Sequence, residues 1–258
     1  MKDRFKGKSV VVTGAASGIG AATASAFADS GASVLVVDRS EDSGRETVER
    51  ICAGGGNAYF QAGDVACEDS VANVVARAVE LFGGIDVFFN NAGIEGKIVP
   101  VVDCAAEDFD RVIAVNLRGM FLGMKHALAV MLPAKSGAII NNASVSGLRG
   151  AAGMCAYIAS KHGILGLTKT AAIEVASAGV RVNAICPGPI ETRMMHSIEE
   201  LTSPGDPGKV AAQVLARNPT GRYGRPEEVA QVVMFLASPA AAYINGIALP
   251  IDGGRMAF

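Results

Sequence analysis

The stretch that most constrains this chain runs from Ser9 to Ala28, "SVVVTGAASGIGAATASAFA". A β-branched run passes through Gly14, Gly18 and Gly20 directly into an alanine-rich helical segment, and Gly31 supplies the expected helix stop. Strand, glycine turn and helix in that order suit a parallel sheet whose first crossover offers free helix N–H groups and a partial positive charge to an anion, a pyrophosphate above all. A glycine loop by itself is a weak sign. The strand before it and the helix after it give it the required context.

The same alternation continues to the end of the chain. Runs at 9–13, 33–38, 57–62, 86–90, 137–144, 180–188 and 246–254 read as seven strands, and 18–30, 41–53, 68–82, 106–132, 153–178 and 226–237 as helices. Near-continuous apolar strands separated by helices indicate an α/β fold: a Rossmann-like, doubly wound parallel sheet of seven strands with helices on both faces. No Pro/Ser-rich linker divides the sequence, so residues 1–258 are expected to form one dinucleotide-binding domain. The stretch 191–225, with Pro204, Gly205, Pro207 and Gly208, is the least regular and is expected to be a substrate loop, mobile in the manner of a lid.

Composition narrows the function classes. Half of the residues are hydrophobic and 19% are charged, which suits a packed core and not disorder. A net charge of −2 provides no basic field for nucleic acid or an anionic membrane, and no run approaches the roughly 18 apolar residues of a membrane span. A small-molecule partner is the expectation. The five cysteines are scattered without a C-x-x-C, and His126, His162 and His196 do not cluster with them. Neither a disulfide framework nor a metal site is expected, and the setting is expected to be reducing and cytoplasmic.

Two further features carry chemistry. Asp38 closes the second strand, where a carboxylate accepts hydrogen bonds from both hydroxyls of an adenosine ribose and repels a 2′-phosphate. That favours NAD over NADP, although Arg39 could welcome the phosphate; Ser17 in the loop adds no second cation. In "AYIASK", Tyr157 and Lys161 stand one helical turn apart on a shared face, about 6 Å along the axis. A cation so close is expected to lower the phenol pKa from about 10 toward neutrality. Spacing alone also allows a plainer arrangement, a core-edge tyrosine beside a snorkelling lysine.

The pieces "TGAASGIG" (13–20), "DV" (64–65), "NNAG" (90–93), "VNLRG" (115–119), Ser144 in "NNASVSG", "YIASK" (157–161) and "PGPIET" (187–192) follow one another in a set order. With them the chain resembles the short-chain dehydrogenase/reductase family over essentially its whole length, in its shorter branch, with Asn245 where threonine is more usual. The resemblance implies a metal-independent oxidoreductase that moves a hydride between a nicotinamide cofactor and a secondary alcohol or ketone. It implies Tyr157 as general acid/base, Lys161 as the group that lowers its pKa and holds the nicotinamide ribose, Ser144 as donor to the substrate oxygen, and Asn116 as holder of a water linking Lys161 to solvent. Cofactor contacts are implied for Gly14, Ser17, Gly18, Ile19 and Gly20 in the loop, for Asp38 and Arg39 at the ribose, and for Asp64 and Val65 beside the adenine. They are implied also for Asn91, Ala92 and Gly93, Asn91 being the direct contact, and for Pro187, Gly188, Ile190 and Thr192 around the nicotinamide.

Structural roles stay open for Ser144 as a turn cap, Asn116 as a buried amide serving nearby backbone, and Asp38 as a strand-end acid. The substrate pocket is expected among residues 94–100, 145–155 and 191–217, with Met154, Met194 and Met195 as an adaptable apolar wall and Arg149 either meeting a carboxylate or solvated. Two alternatives stand beside this reading: an NADPH-dependent 3-oxoacyl-carrier-protein reductase, and a non-catalytic NAD-binding regulatory module. A homotetramer is expected from the resemblance, from the apolar circumference of 106–132 and 153–178, and from the C-terminal "GGRMAF".

Overall fold

The computed structural model describes residues 3–257. Strands β1 (Ser9–Thr13), β2 (Ser33–Asp38), β3 (Asn57–Ala62), β4 (Val87–Asn90), β5 (Gly137–Asn142), β6 (Val180–Pro187) and β7 (Ala248–Ile251) pair in the order β3-β2-β1-β4-β5-β6-β7. Every pairing is parallel. Because strand side chains alternate between faces, each apolar run is shared between two cores. Val10, Val12, Val34, Val36, Phe89 and Ile140 pack on one face with Phe27 of α1 (Gly18–Asp29), Ile51 of α2 (Glu41–Ala53) and Val229 and Val233 of α9 (Pro226–Ala237). Val11, Leu35, Val37, Phe88 and Ile139 face the other way, onto α3 (Glu68–Phe82), α5 (Gly119–Ala134) and α6 (Cys155–Val175). This double burial is why the runs are apolar throughout and do not alternate with polar residues.

The strand order reverses direction between β1 and β4, which opens a crevice at their carboxyl ends. The glycine loop leaves β1 there and the "NNAG" segment leaves β4.

Two expected elements differ from what forms. The segment 106–132 is not one regular helix: α4 (Ala106–Ile113) passes through a π-turn at Ala114–Arg118 before α5 continues to Ala134. Asn116 sits in that turn, and the extra residue rotates the chain so that its amide points inward; hydrophobic periodicity cannot reveal such an insertion. The stretch 191–225 is not irregular either. It carries α7 (Arg193–Thr202), capped by the Thr192 hydroxyl, and α8 (Pro207–Ala216), capped by Asp206. Pro207, one of the residues that mark the stretch as irregular in sequence, occupies the first turn of α8, where proline starts helices. Among the described residues no helix is long and apolar enough to cross a membrane.

Candidate active site

The loop after β1 is shaped for close approach. Gly14 has φ 64°, and a Cβ there would stand 2.8 Å from Ala92 Cα; one on Gly20 would stand 2.1 Å from the Gly14 carbonyl oxygen. Beneath the loop, Asn91 Nδ2 donates to the carbonyls of Thr13 (2.9 Å) and Gly14 (3.1 Å), and Asn91 Oδ1 accepts from Asn142 Nδ2 (2.8 Å). The side chain expected to touch a cofactor is thus committed to the protein, where it ties the ends of β1, β4 and β5 together. Ala92 N donates to Thr13 Oγ1, and Gly93 lies beside Asn116.

Helix α1 lacks its own anion. Ser17 makes no side-chain cap and the first turn holds no acid, whereas α2, α3, α4 and α9 all begin with acidic residues. The leading N–H groups of α1, at Gly18, Ile19 and Gly20, are therefore available to a pyrophosphate, which fits a dinucleotide at this crevice. Asp38 lies at its rim. Its two oxygens accept from Ala16 N and Ser40 N, both at 3.0 Å, so it serves as a strand-end cap and retains lone pairs for ribose hydroxyls. Arg39 is exposed. Asp64 accepts from Ala66 N at 2.9 Å, and Val65 packs on Gly119. After β6, Gly188 N donates to Ile251 O, Ile190 is buried, and Thr192 returns to within contact of Gly18, closing the crevice from its far side.

Beyond β5 the reactive side chains converge. Ser144 Oγ accepts from Ser146 N at 3.1 Å, which makes it a turn cap, and its hydroxyl lies near enough to Tyr157 to favour the phenolate. Lys161 Nζ lies 5.4 Å from the centre of the Tyr157 ring and donates to the Asn142 carbonyl at 2.8 Å. Asn116, fully buried, accepts from Ile94 N (2.8 Å) and donates to Ile94 O (2.9 Å) and Ser160 Oγ (3.2 Å). Its side chain serves the nearby backbone.

Comparison with known proteins matches this arrangement. Residues 14–255 fit the family described as enoyl-(acyl carrier protein) reductase. The chain is 41% identical over 256 residues to levodione reductase of Leifsonia aquatica, covering 98% of this chain and 96% of that one. It is 43% identical over 258 residues to cis-4-hydroxycyclohexanecarboxylate dehydrogenase of Sinomonas cyclohexanicum, covering 100% of both. The crystal structure of NAD+-bound xylitol dehydrogenase matches with a TM-score of 0.93 at 36% identity, over 97% of this chain and 99% of that one. The chain belongs to the short-chain dehydrogenase/reductase family.

The electrostatics of this dehydrogenase/reductase correct one expectation. Lys161 was expected to draw the Tyr157 pKa down. Instead burial pushes the phenol up to about 12, opposed by the Ser144 hydroxyl and reinforced by the Glu95 carboxylate. Burial likewise brings Lys161 down to about 8. The helical spacing holds, but the ammonium turns to the Asn142 carbonyl, and desolvation of a phenolate outweighs a cation that is not in contact with it.

Three features escaped the sequence reading. Asn142 sits at the end of β5 with Oδ1 buried and unpartnered, a free acceptor between Asn91 and Lys161 that also suits a cofactor amide or hydroxyl. The second asparagine of "NNAS" was its only signal. Glu95 joins the site through Ser197 of α7. The thiols of Cys104 and Cys155, far apart in sequence, are neighbours just before Tyr157, and Cys155 helps to push the Cys104 thiol up.

Proposed function

We propose that this chain is an NAD-dependent dehydrogenase/reductase of secondary alcohols and their ketones, a cyclic alcohol being favoured by the cyclohexanol named for a relative from Acinetobacter and the hydroxycyclohexanecarboxylate named for the Sinomonas relative. The observation that carries the reading is the meeting of Ser144, Tyr157 and Lys161 beside the anion-free N-terminus of α1. Gly14, Gly18, Ile19 and Gly20 would hold the pyrophosphate, Asp38 the adenosine ribose, and Lys161 with Asn142 the nicotinamide side. The dinucleotide, when bound, supplies the hydride acceptor for oxidation and the hydride donor for reduction.

The protein's own part is proton transfer and positioning. Ser144 donates to the substrate oxygen and fixes it against the Tyr157 hydroxyl. In oxidation the Tyr157 phenolate takes the hydroxyl proton; in reduction the neutral phenol returns it to the carbonyl oxygen. The raised phenol pKa suits reduction near neutral pH and makes oxidation accelerate as the medium becomes alkaline. Asn116 anchors Ile94 and Ser160, setting the distance between the β4 loop and α6.

Residues 1–258 act as one dinucleotide-binding unit, with α7 and α8 of 191–225 covering the substrate. A homotetramer is supported by exposed Phe109, Phe121 and Ile173 on α4–α6 and by exposed Tyr243 and Ile247 near β7; a monomeric mass by light scattering would remove that part. Phe258 of the C-terminal stretch lies outside the described residues. The five free cysteines support a reducing, cytoplasmic setting, which cell fractionation checks.

The test is absorbance of the reduced cofactor when NAD and a panel of secondary alcohols, cyclohexanol included, are added to the pure protein. Tyr157→Phe is expected to lose turnover by at least about 10³-fold while NAD affinity stays within a few fold. Turnover near wild type in that variant sinks the assignment.

A further inference from the structure

Glu95 has no part in the proton transfer described above, yet the structure holds it firmly within the site. Ile94, the residue before it, is gripped at both backbone groups by Asn116, and Asn116 in turn holds Ser160, one turn beyond Tyr157 on α6. The Glu95 side chain is half-buried and extends to α7, where Oε1 accepts from Ser197 Oγ at 2.6 Å. Its charge reaches the Tyr157 phenol, whose ionisation it opposes. Among the described residues no lysine, arginine or histidine pairs with Glu95, and Oε2 receives no hydrogen bond from the protein. Lys97, two residues on, is turned to Asp108, and His196 beside Ser197 is turned to Glu191 and Glu199.

Glu95 and Ser197 bridge the segments 94–100 and 191–217 expected to line the substrate pocket. A substrate whose oxygen is held by Ser144 and Tyr157 would therefore meet an uncompensated carboxylate beside its carbon skeleton. We infer that Glu95 is a specificity-determining residue that admits uncharged alcohols and ketones and rejects those carrying a carboxylate, which would set this chain apart from the Sinomonas relative and its carboxylate substrate, with Oε2 free to accept from a second substrate hydroxyl. This rests on the alcohol/ketone reading above. The physics is repulsion between like charges in a cleft poorly screened by water, where discrimination comes as much from what is refused as from what is held. Arg149, the cation expected to greet a carboxylate, is exposed to solvent.

The probes are 4-hydroxycyclohexanecarboxamide and 4-hydroxycyclohexanecarboxylate, alike in shape and different in charge. Their binding is measured by calorimetry in the presence of NADH, which blocks turnover of an alcohol. The wild type is expected to bind the amide at least tenfold more tightly, and Glu95→Gln to bring the two within about threefold. Ser197→Ala, which cuts the tie to α7 and keeps the charge, is expected to preserve the preference. Equal binding of the two probes by the wild type, a preference unchanged in Glu95→Gln, or no binding of either probe overturns the inference. Oxidation of cyclohexanol with NAD is followed in parallel. An inactive wild type whose probe preference responds to Glu95→Gln rejects the alcohol reading alone, whereas an active one whose preference does not respond rejects the role of Glu95 alone.

Discussion

Replacing Asn91 with alanine removes the tie among three strand ends. Three side-chain hydrogen bonds go with it: to Thr13 O at 2.9 Å, to Gly14 O at 3.1 Å and from Asn142 Nδ2 at 2.8 Å. At about 1 kcal/mol net for each bond, less some relief from water because Asn91 is only half-buried, the loss is about 2–3 kcal/mol. For a chain of this length that lowers Tm by roughly 4–12 °C. The glycine loop rests on the same amide, so NAD affinity is expected to fall by about tenfold, the loop having lost its support from below. Asn91→Asp sharpens the test. It keeps an oxygen for Asn142 but turns another toward two carbonyls at about 3 Å, and is expected to be less stable than the alanine variant. Urea denaturation at one fixed protein concentration, with calorimetric NAD titration, measures both effects. An Asn91→Ala protein within about 0.5 kcal/mol of wild type, or an aspartate variant more stable than the alanine one, would refute the reasoning.

Lys161 is buried with a pKa brought from 10.5 down to about 8. Below pH 8 the folded and unfolded chains both hold the proton and the folded state carries the full desolvation cost; between pH 8 and 10.5 the unfolded chain binds more protons, so stability rises with pH. Lys161→Met is therefore expected to be inactive yet more stable than wild type at pH 7, with the gap narrowing at pH 9.5 in urea titrations; a gap independent of pH contradicts this. Asp38→Ser is expected to narrow the preference in kcat/KM for NAD over NADP by at least about tenfold, because a carboxylate no longer faces the 2′-phosphate. Wild type that uses NADP better would reverse the reading of Asp38.

Much of this protein is legible in its sequence because the relevant physics is local. Apolar runs such as Val10–Val12 and Val34–Val37 specify strands buried on both faces, Gly14 and Gly20 mark where backbone must approach backbone, and the order of short motifs places Ser144, Tyr157 and Lys161 in one site. What the tertiary structure alone decides depends on partners distant in the chain. Asn91 binds Thr13 and Asn142, Asn116 binds Ile94 and Ser160, and Glu95 reaches Ser197. The sign of the Tyr157 shift belongs here too. Spacing places a lysine one turn away, but whether a phenol gains or loses its proton more readily is set by how completely all the surrounding elements exclude water, and that exclusion is a property of the packed whole.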